Sequence, residues 1–94
     1  MIRIVKLSLH PEHGSAFEKF FSKTKPFISS MPGCKSVKLL KGHHPGIYFT
    51  YSQWVCAEDL EAYRNHPEFL VIWRKTKIWF QAPAEAWSVE DSLL

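Results

Sequence analysis

An α+β domain with the element order β-α-β-β-α-β is predicted by three features of the sequence. Apolar and polar residues nearly alternate over Ile2–Leu9, and a longer aromatic run occupies residues 47–55. Apolar residues recur at three- and four-residue steps over 17–31 and again over 57–80, the mark of helices with one buried face. Pro32-Gly33, Pro45-Gly46 and Pro83 punctuate the pattern where turns are needed.

The 94 residues form one domain, 1–94, because a single core serves chains of about 50–200 residues. A hydrophobic share of 46%, with 15% aromatic, excludes disorder and predicts a packed interior. A net charge of +3 with scattered lysines suits an anionic small molecule and is too weak to argue for nucleic acid. Cys34 and Cys56 are too few for a disulfide framework, and the apolar start is broken by Arg3 and Lys6, unlike a signal peptide. No run approaches the roughly 20 apolar residues of a membrane span. The expectation is a reduced, cytoplasmic protein with no membrane partner.

In chain order, Ile2, Ile4, Leu7 and Leu9 read as the first strand. Pro11 suits the first turn of a helix. Phe17, Phe20, Phe21, Thr24, Phe27 or Ile28, and Met31 form its buried stripe, with Pro26 expected to kink the last turn. Met31-Pro32-Gly33-Cys34 has the signature of a type II turn. Residues 36–40 form a second strand, 41–46 a hairpin loop and 47–55 the longest strand. That strand is apolar or aromatic on both faces: Ile47, Phe49, Tyr51 and Val55 on one, Tyr48 and Trp54 on the other. A half-solvated strand shows a polar alternate face, so this one requires two covers, and a second copy of the chain supplies the outer one. Cys56 and Asp59 form a capping box with a weak thiol half. Pro67 forces a break at His66, after which Phe69 or Leu70, Trp73, Lys77 and Phe80 continue the stripe until Pro83, and residues 84–89 form the last strand.

Pro32-Gly33-Cys34 before the second strand, Trp54 near the end of the third, and Glu58-Asp59-Leu60…Tyr63…His66-Pro67-Glu68-Phe69 together resemble the antibiotic biosynthesis monooxygenase domain family. The resemblance runs over nearly the whole chain in order and spacing. It implies a ferredoxin-like fold with an antiparallel sheet, paired sheet to sheet as a dimeric α/β barrel. It further implies a monooxygenase acting on a small aromatic or quinol without a cofactor, or else a non-catalytic dimeric module that holds a hydrophobic small molecule. In the cofactor-free members, polar and aromatic side chains orient an electron-rich phenol that reacts with oxygen once deprotonated.

On that reading His66 and Tyr63 are the candidate catalytic residues. His66 has a reference pKa near neutrality, suited to a general base or a hydrogen bond to a substrate oxygen. Capping of the helix at Pro67 is the competing explanation for it. Trp54, Tyr51, Trp73 and Arg74 are candidate substrate contacts, although large rings are also the ordinary filling of a small core. The haem-degrading branch requires a histidine four residues after the Phe that follows the break, where this chain has Trp73, and an asparagine in the first strand, which Ile2–Leu9 lacks. His10 with His13, and His43 with His44, have no carboxylate or cysteine companions at ligand spacing, so no metal is expected. RNA-binding modules share this strand order, but Pro45 stands where their motif needs a basic residue, and the first strand carries no stacking aromatic.

Overall fold

The computed structural model describes residues 1–91; the last three residues of the expected single domain, 92–94, lie outside it. Four strands, β1 (Ile2–Leu9), β2 (Cys34–Lys41), β3 (Ile47–Trp54) and β4 (Phe80–Val89), form an antiparallel sheet in the order β2-β3-β1-β4. Three helices, α1 (Gly14–Ser30), α2 (Ala57–Arg64) and α3 (Pro67–Lys77), connect them, giving the ferredoxin-like α+β arrangement. None of the described helices is long and apolar enough to cross a membrane.

Alternation along each strand decides which residues meet the helices. In β3, Tyr48, Ser52 and Trp54 are buried, whereas Ile47, Phe49, Tyr51 and Gln53 on the other face are only partly covered. Leu7, Leu9 and Val37 join the inner face, and Phe17, Phe21 and Ile28 of α1 with Leu60 and Tyr63 of α2 close over it as the core. Tyr48 donates from its hydroxyl to Glu18, which also lies 3.6 Å from Lys41, so one carboxylate ties α1 to β3 and to the end of β2.

Cys34 N–H donates to Met31 O at 3.0 Å with Gly33 at φ +82°, the expected type II geometry. A side chain at Gly33 would also collide with the Asp59 carboxylate, so the turn and the start of α2 pack together. Pro26 does not end α1: it is exposed, and the helix runs on to Ser30. Pro11 opens a short 3-10 turn, Pro11–His13, ahead of α1.

β2 extends beyond the expected 36–40 at both ends, and two boundaries towards the C-terminus differ most from expectation. The helical stripe does not reach Phe80, because α3 ends at Lys77 and Phe80 already belongs to β4. The last strand likewise starts four residues earlier than 84, with Pro83 inside it. The register explains how a residue without an N–H is accommodated: Lys6 faces Glu85 and Ser8 faces Ala82, so Pro83 and Ala84 share one opposing position in a bulge on an edge strand.

Candidate functional site

A cavity of about 280 Å³ lies between the inner sheet face and the helices. Its floor is Arg3, Val5 and Leu7 of β1, Thr50 and Ser52 of β3, Val37 of β2, and the small Ala84 and Ala86 of β4. Its roof begins with Phe17, Phe20, Phe21, Thr24 and Ile28, the three- and four-step stripe of α1. Leu60, Tyr63 and Arg64 from α2, then Phe69, Ile72, Trp73 and Thr76 from α3, complete the wall. The break at His66-Pro67 turns one helical stripe into two short ones, which frame the space rather than fill it. The volume sits near the lower limit of small-molecule sites, about 300–1,000 Å³.

A chain of ring contacts runs along one wall. Trp54 stacks on Tyr63 at 5.4 Å between centroids, Tyr63 meets the edge of Phe69 at 4.8 Å, Phe69 lies parallel to Trp73 at 6.1 Å, and Trp73 meets Phe80 at 5.5 Å. Offset and edge contacts of this kind hold each ring in one orientation. Most polar atoms in the wall are already engaged. Trp54 Nε1 donates to Ser52 Oγ, Thr24 Oγ1 to Phe21 O, and Thr76 Oγ1 to Ile72 O. The hydroxyl of Tyr63, a residue that borders the cavity, by contrast makes no hydrogen bond among the described residues. Burial, then the proximity of Cys34, pushes its pKa well above that of a free phenol. Tyr63 therefore keeps its proton and offers a hydrogen-bond donor.

The only charges in the described wall are positive. Arg3 and Arg64 stand at the end of the cavity where β1 begins and α2 stops. Burial and the neighbouring Arg64 guanidinium lower the Arg3 pKa, with Glu61 opposing the shift. Arg3 donates to Ser88 Oγ at 2.9 Å, and Arg64 to Glu61 Oε2 at 3.4 Å.

The structure separates the six residues the sequence singled out. Tyr63 and Trp73 line the cavity. Trp54 is only 1% exposed and stands behind Tyr63 as core. His66 is the N-cap of α3: its Nδ1 accepts from Glu68 N at 3.0 Å, and its ring meets Phe27 at 5.2 Å, outside the cavity wall. Tyr51 lies on the opposite sheet face, with Lys38 Nζ 5.1 Å from its ring centroid. Arg74 is exposed and does not border the cavity. Arg3, Arg64 and Thr50 line the wall without having been singled out. Two had a readable signal, since Arg3 shares the two-residue period of Val5 and Leu7, and Arg64 follows Leu60 at the i+4 helical step. Among the described residues, no group of three His, Cys, Asp or Glu side chains could hold a metal ion.

The sequence profile of the family described as antibiotic biosynthesis monooxygenase matches residues 1–75. Solved structures share the fold at low identity. A protein of Bordetella bronchiseptica designated a candidate antibiotic biosynthesis monooxygenase superposes with a TM-score of 0.88 at 18% identity, over 98% of this chain and 96% of its own. Another so designated, from Nitrosomonas europaea, gives 0.87 at 17%, over 98% and 88%. The protein PA3566 of Pseudomonas aeruginosa gives 0.83 at 20%, over 97% and 92%. No curated protein matches the sequence.

Proposed function

The chain belongs to the antibiotic biosynthesis monooxygenase family, and from that premise we propose that its cavity binds a small aromatic or quinol and presents it to oxygen without a cofactor. The observation that carries this reading is the ring-lined space bordered by Tyr63, whose hydroxyl keeps its proton and makes no hydrogen bond among the described residues. An electron-rich phenol loses its proton to solvent, its anion transfers an electron to oxygen, and the radicals combine at a ring carbon that bears hydrogen, the resulting peroxide taking a proton back. Loss of water from the hydroperoxide leaves one oxygen atom in the product and the other in water. Phe69 and Trp73 hold the ring plane, Tyr63 donates to the substrate oxygen, and the apolar walls keep out bulk water. His66 acts at one remove, as a positioning residue: its cap fixes the start of the helix that carries Phe69 and Trp73.

Oxygen uptake with a panel of naphthols, anthrones and quinols tests the proposal. The wild type should consume oxygen above the protein-free rate, and Tyr63→Phe should lower the turnover about 10²-fold, the scale of one lost hydrogen-bond donor to a developing anion. A panel with no protein-dependent uptake rules the oxygenase reading out. One observation favours a second reading, a non-catalytic module for a hydrophobic small molecule: among the described residues, no Asp, Glu or His lines the cavity to act as base. Saturable binding without oxygen uptake is its expected result.

The proposal includes a second copy of the chain as partner. On the outer sheet face Ile4 stands between Tyr51 and Trp87, and Leu40 beside Phe49, while Leu40, Trp87 and Val89 are 42%, 45% and 43% exposed. Apolar positions of this kind, interspersed with Lys6, Lys38 and Glu85, are what a sheet-to-sheet homodimer would bury.

A further inference from the structure

We propose that Arg3 and Arg64 form an anion subsite, so that the cavity selects ligands carrying a carboxylate, or an equally delocalised oxyanion, at one end of a flat apolar body. This inference concerns the same cavity as the functional reading and rests on its being a ligand site, but not on any reaction with oxygen.

Three observations support it. Arg3 and Arg64 both border the cavity, and no acidic side chain borders it among the described residues, so the charges on its wall are positive, with Glu61 behind Arg64. Burial first, and then the Arg64 guanidinium, lower the Arg3 pKa, with Glu61 opposing; an anion beside both cations at the cavity edge would offset both effects. Neither cation is saturated by its protein partners. Arg3 donates to one neutral partner, the Ser88 hydroxyl, and feels Glu61 only through space, while Arg64 makes one long 3.4 Å contact to Glu61, whose side chain is 60% exposed. A guanidinium has five N–H donors in a fixed fork that matches a carboxylate, so most of this capacity remains available. The rest of the wall is apolar or aromatic apart from Tyr63, Thr50 and the engaged hydroxyls, which sets the chemistry of the body of the ligand. The subsite would also favour ionisation of a phenol whose oxygen lay at the Arg3 end, supplying electrostatically what no base in the wall supplies.

The test is isothermal titration of the full chain with 1-naphthoate and with 1-naphthamide, its uncharged counterpart of nearly equal shape. The wild type should bind naphthoate at least tenfold more tightly than the amide, since a charge-assisted hydrogen bond contributes about 1.5–3 kcal/mol and 1.4 kcal/mol is tenfold. Arg3→Gln and Arg64→Gln should each reduce that preference severalfold and the double variant should abolish it, with circular dichroism confirming the fold. Arg64→Lys should keep part of it. Glu61→Gln should strengthen it by freeing Arg64, which a purely structural ion pair would not do. Lys23→Gln, an exposed change of equal charge, should leave it intact. Equal binding of both compounds would overturn the anion subsite while leaving the cavity as the ligand site. Binding of neither would remove both.

Discussion

Tyr63 does two separable things, packing and donating. Its ring lies between Trp54 and Phe69, so Tyr63→Ala should cost about 3–5 kcal/mol of stability in denaturant unfolding. Its hydroxyl has no partner among the described residues, so Tyr63→Phe should change stability by less than about 1 kcal/mol while lowering ligand affinity or turnover. His66 can be separated in the same way. Loss of the bond from Glu68 N in His66→Ala should cost about 0.5–2 kcal/mol, and His66→Asn, another good cap, should recover most of it. Oxygen uptake that follows stability across the two variants fits a positioning role. Uptake lost in His66→Asn at full stability would make the histidine a chemical participant instead. The ambiguity at this residue was visible in the sequence, because an X-Pro break marks both caps and functional hinges. Only the Nδ1 contact shows that the capping role is occupied.

At the scale of elements, the turn at Met31–Cys34 and the break at His66-Pro67 could be read from residue chemistry alone, because each has few conformational solutions. The entry to β4 could not. Pro83 usually ends a helix, but an edge-strand bulge tolerates it as well, and the choice depends on pairing with β1, some eighty residues earlier. Gly33 makes the turn testable: Gly33→Ala should cost at least about 1–2 kcal/mol from the positive φ alone, with the collision at Asp59 added. The Tyr48–Glu18 link between β3 and α1 gives a pH dependence with a definite sign. Burial, and secondarily Glu18, pushes the Tyr48 phenol from 10.0 up to about 12. Stability held by the neutral phenol is complete below pH 10 and is lost as pH rises towards 12. Tyr48 also lowers the Glu18 pKa, so that carboxylate's share is present above its ordinary value and lost as pH falls through the depressed one. Thermal unfolding between pH 9 and 12 should fall less steeply in Tyr48→Phe than in the wild type. Parallel curves would show that the link does not titrate with the fold.

For the whole molecule, the sequence's chief clue was β3, whose two faces are both apolar or aromatic in a chain with helices enough for one. The structure places Tyr48, Ser52 and Trp54 under the helices and leaves Phe49 and Tyr51 facing outward. Sedimentation should show a dimer in the wild type and a monomer or unfolded chain in Phe49→Glu/Tyr51→Asp, because an unpaired buried charge costs several kcal/mol. A stable dimer after both changes would place the interface elsewhere. The cavity was harder to read. Its position follows from the sheet-helix layering, but whether aromatic residues fill a space or frame it depends on the angles of α2 and α3, which no periodicity encodes. Arg3 in β1 and Arg64 at the end of α2, far apart in sequence, come to border one cavity only when the helix packs over the sheet.

Amide chemical shifts during a titration with 2-naphthol test most directly whether the space beneath the helices is the binding site. Perturbations should concentrate at Val5, Thr50, Tyr63, Phe69 and Trp73, and Tyr63→Phe should weaken them. Shifts confined to the outer-face residues Phe49, Tyr51 and Trp87, or saturation indifferent to Tyr63, would contradict the account.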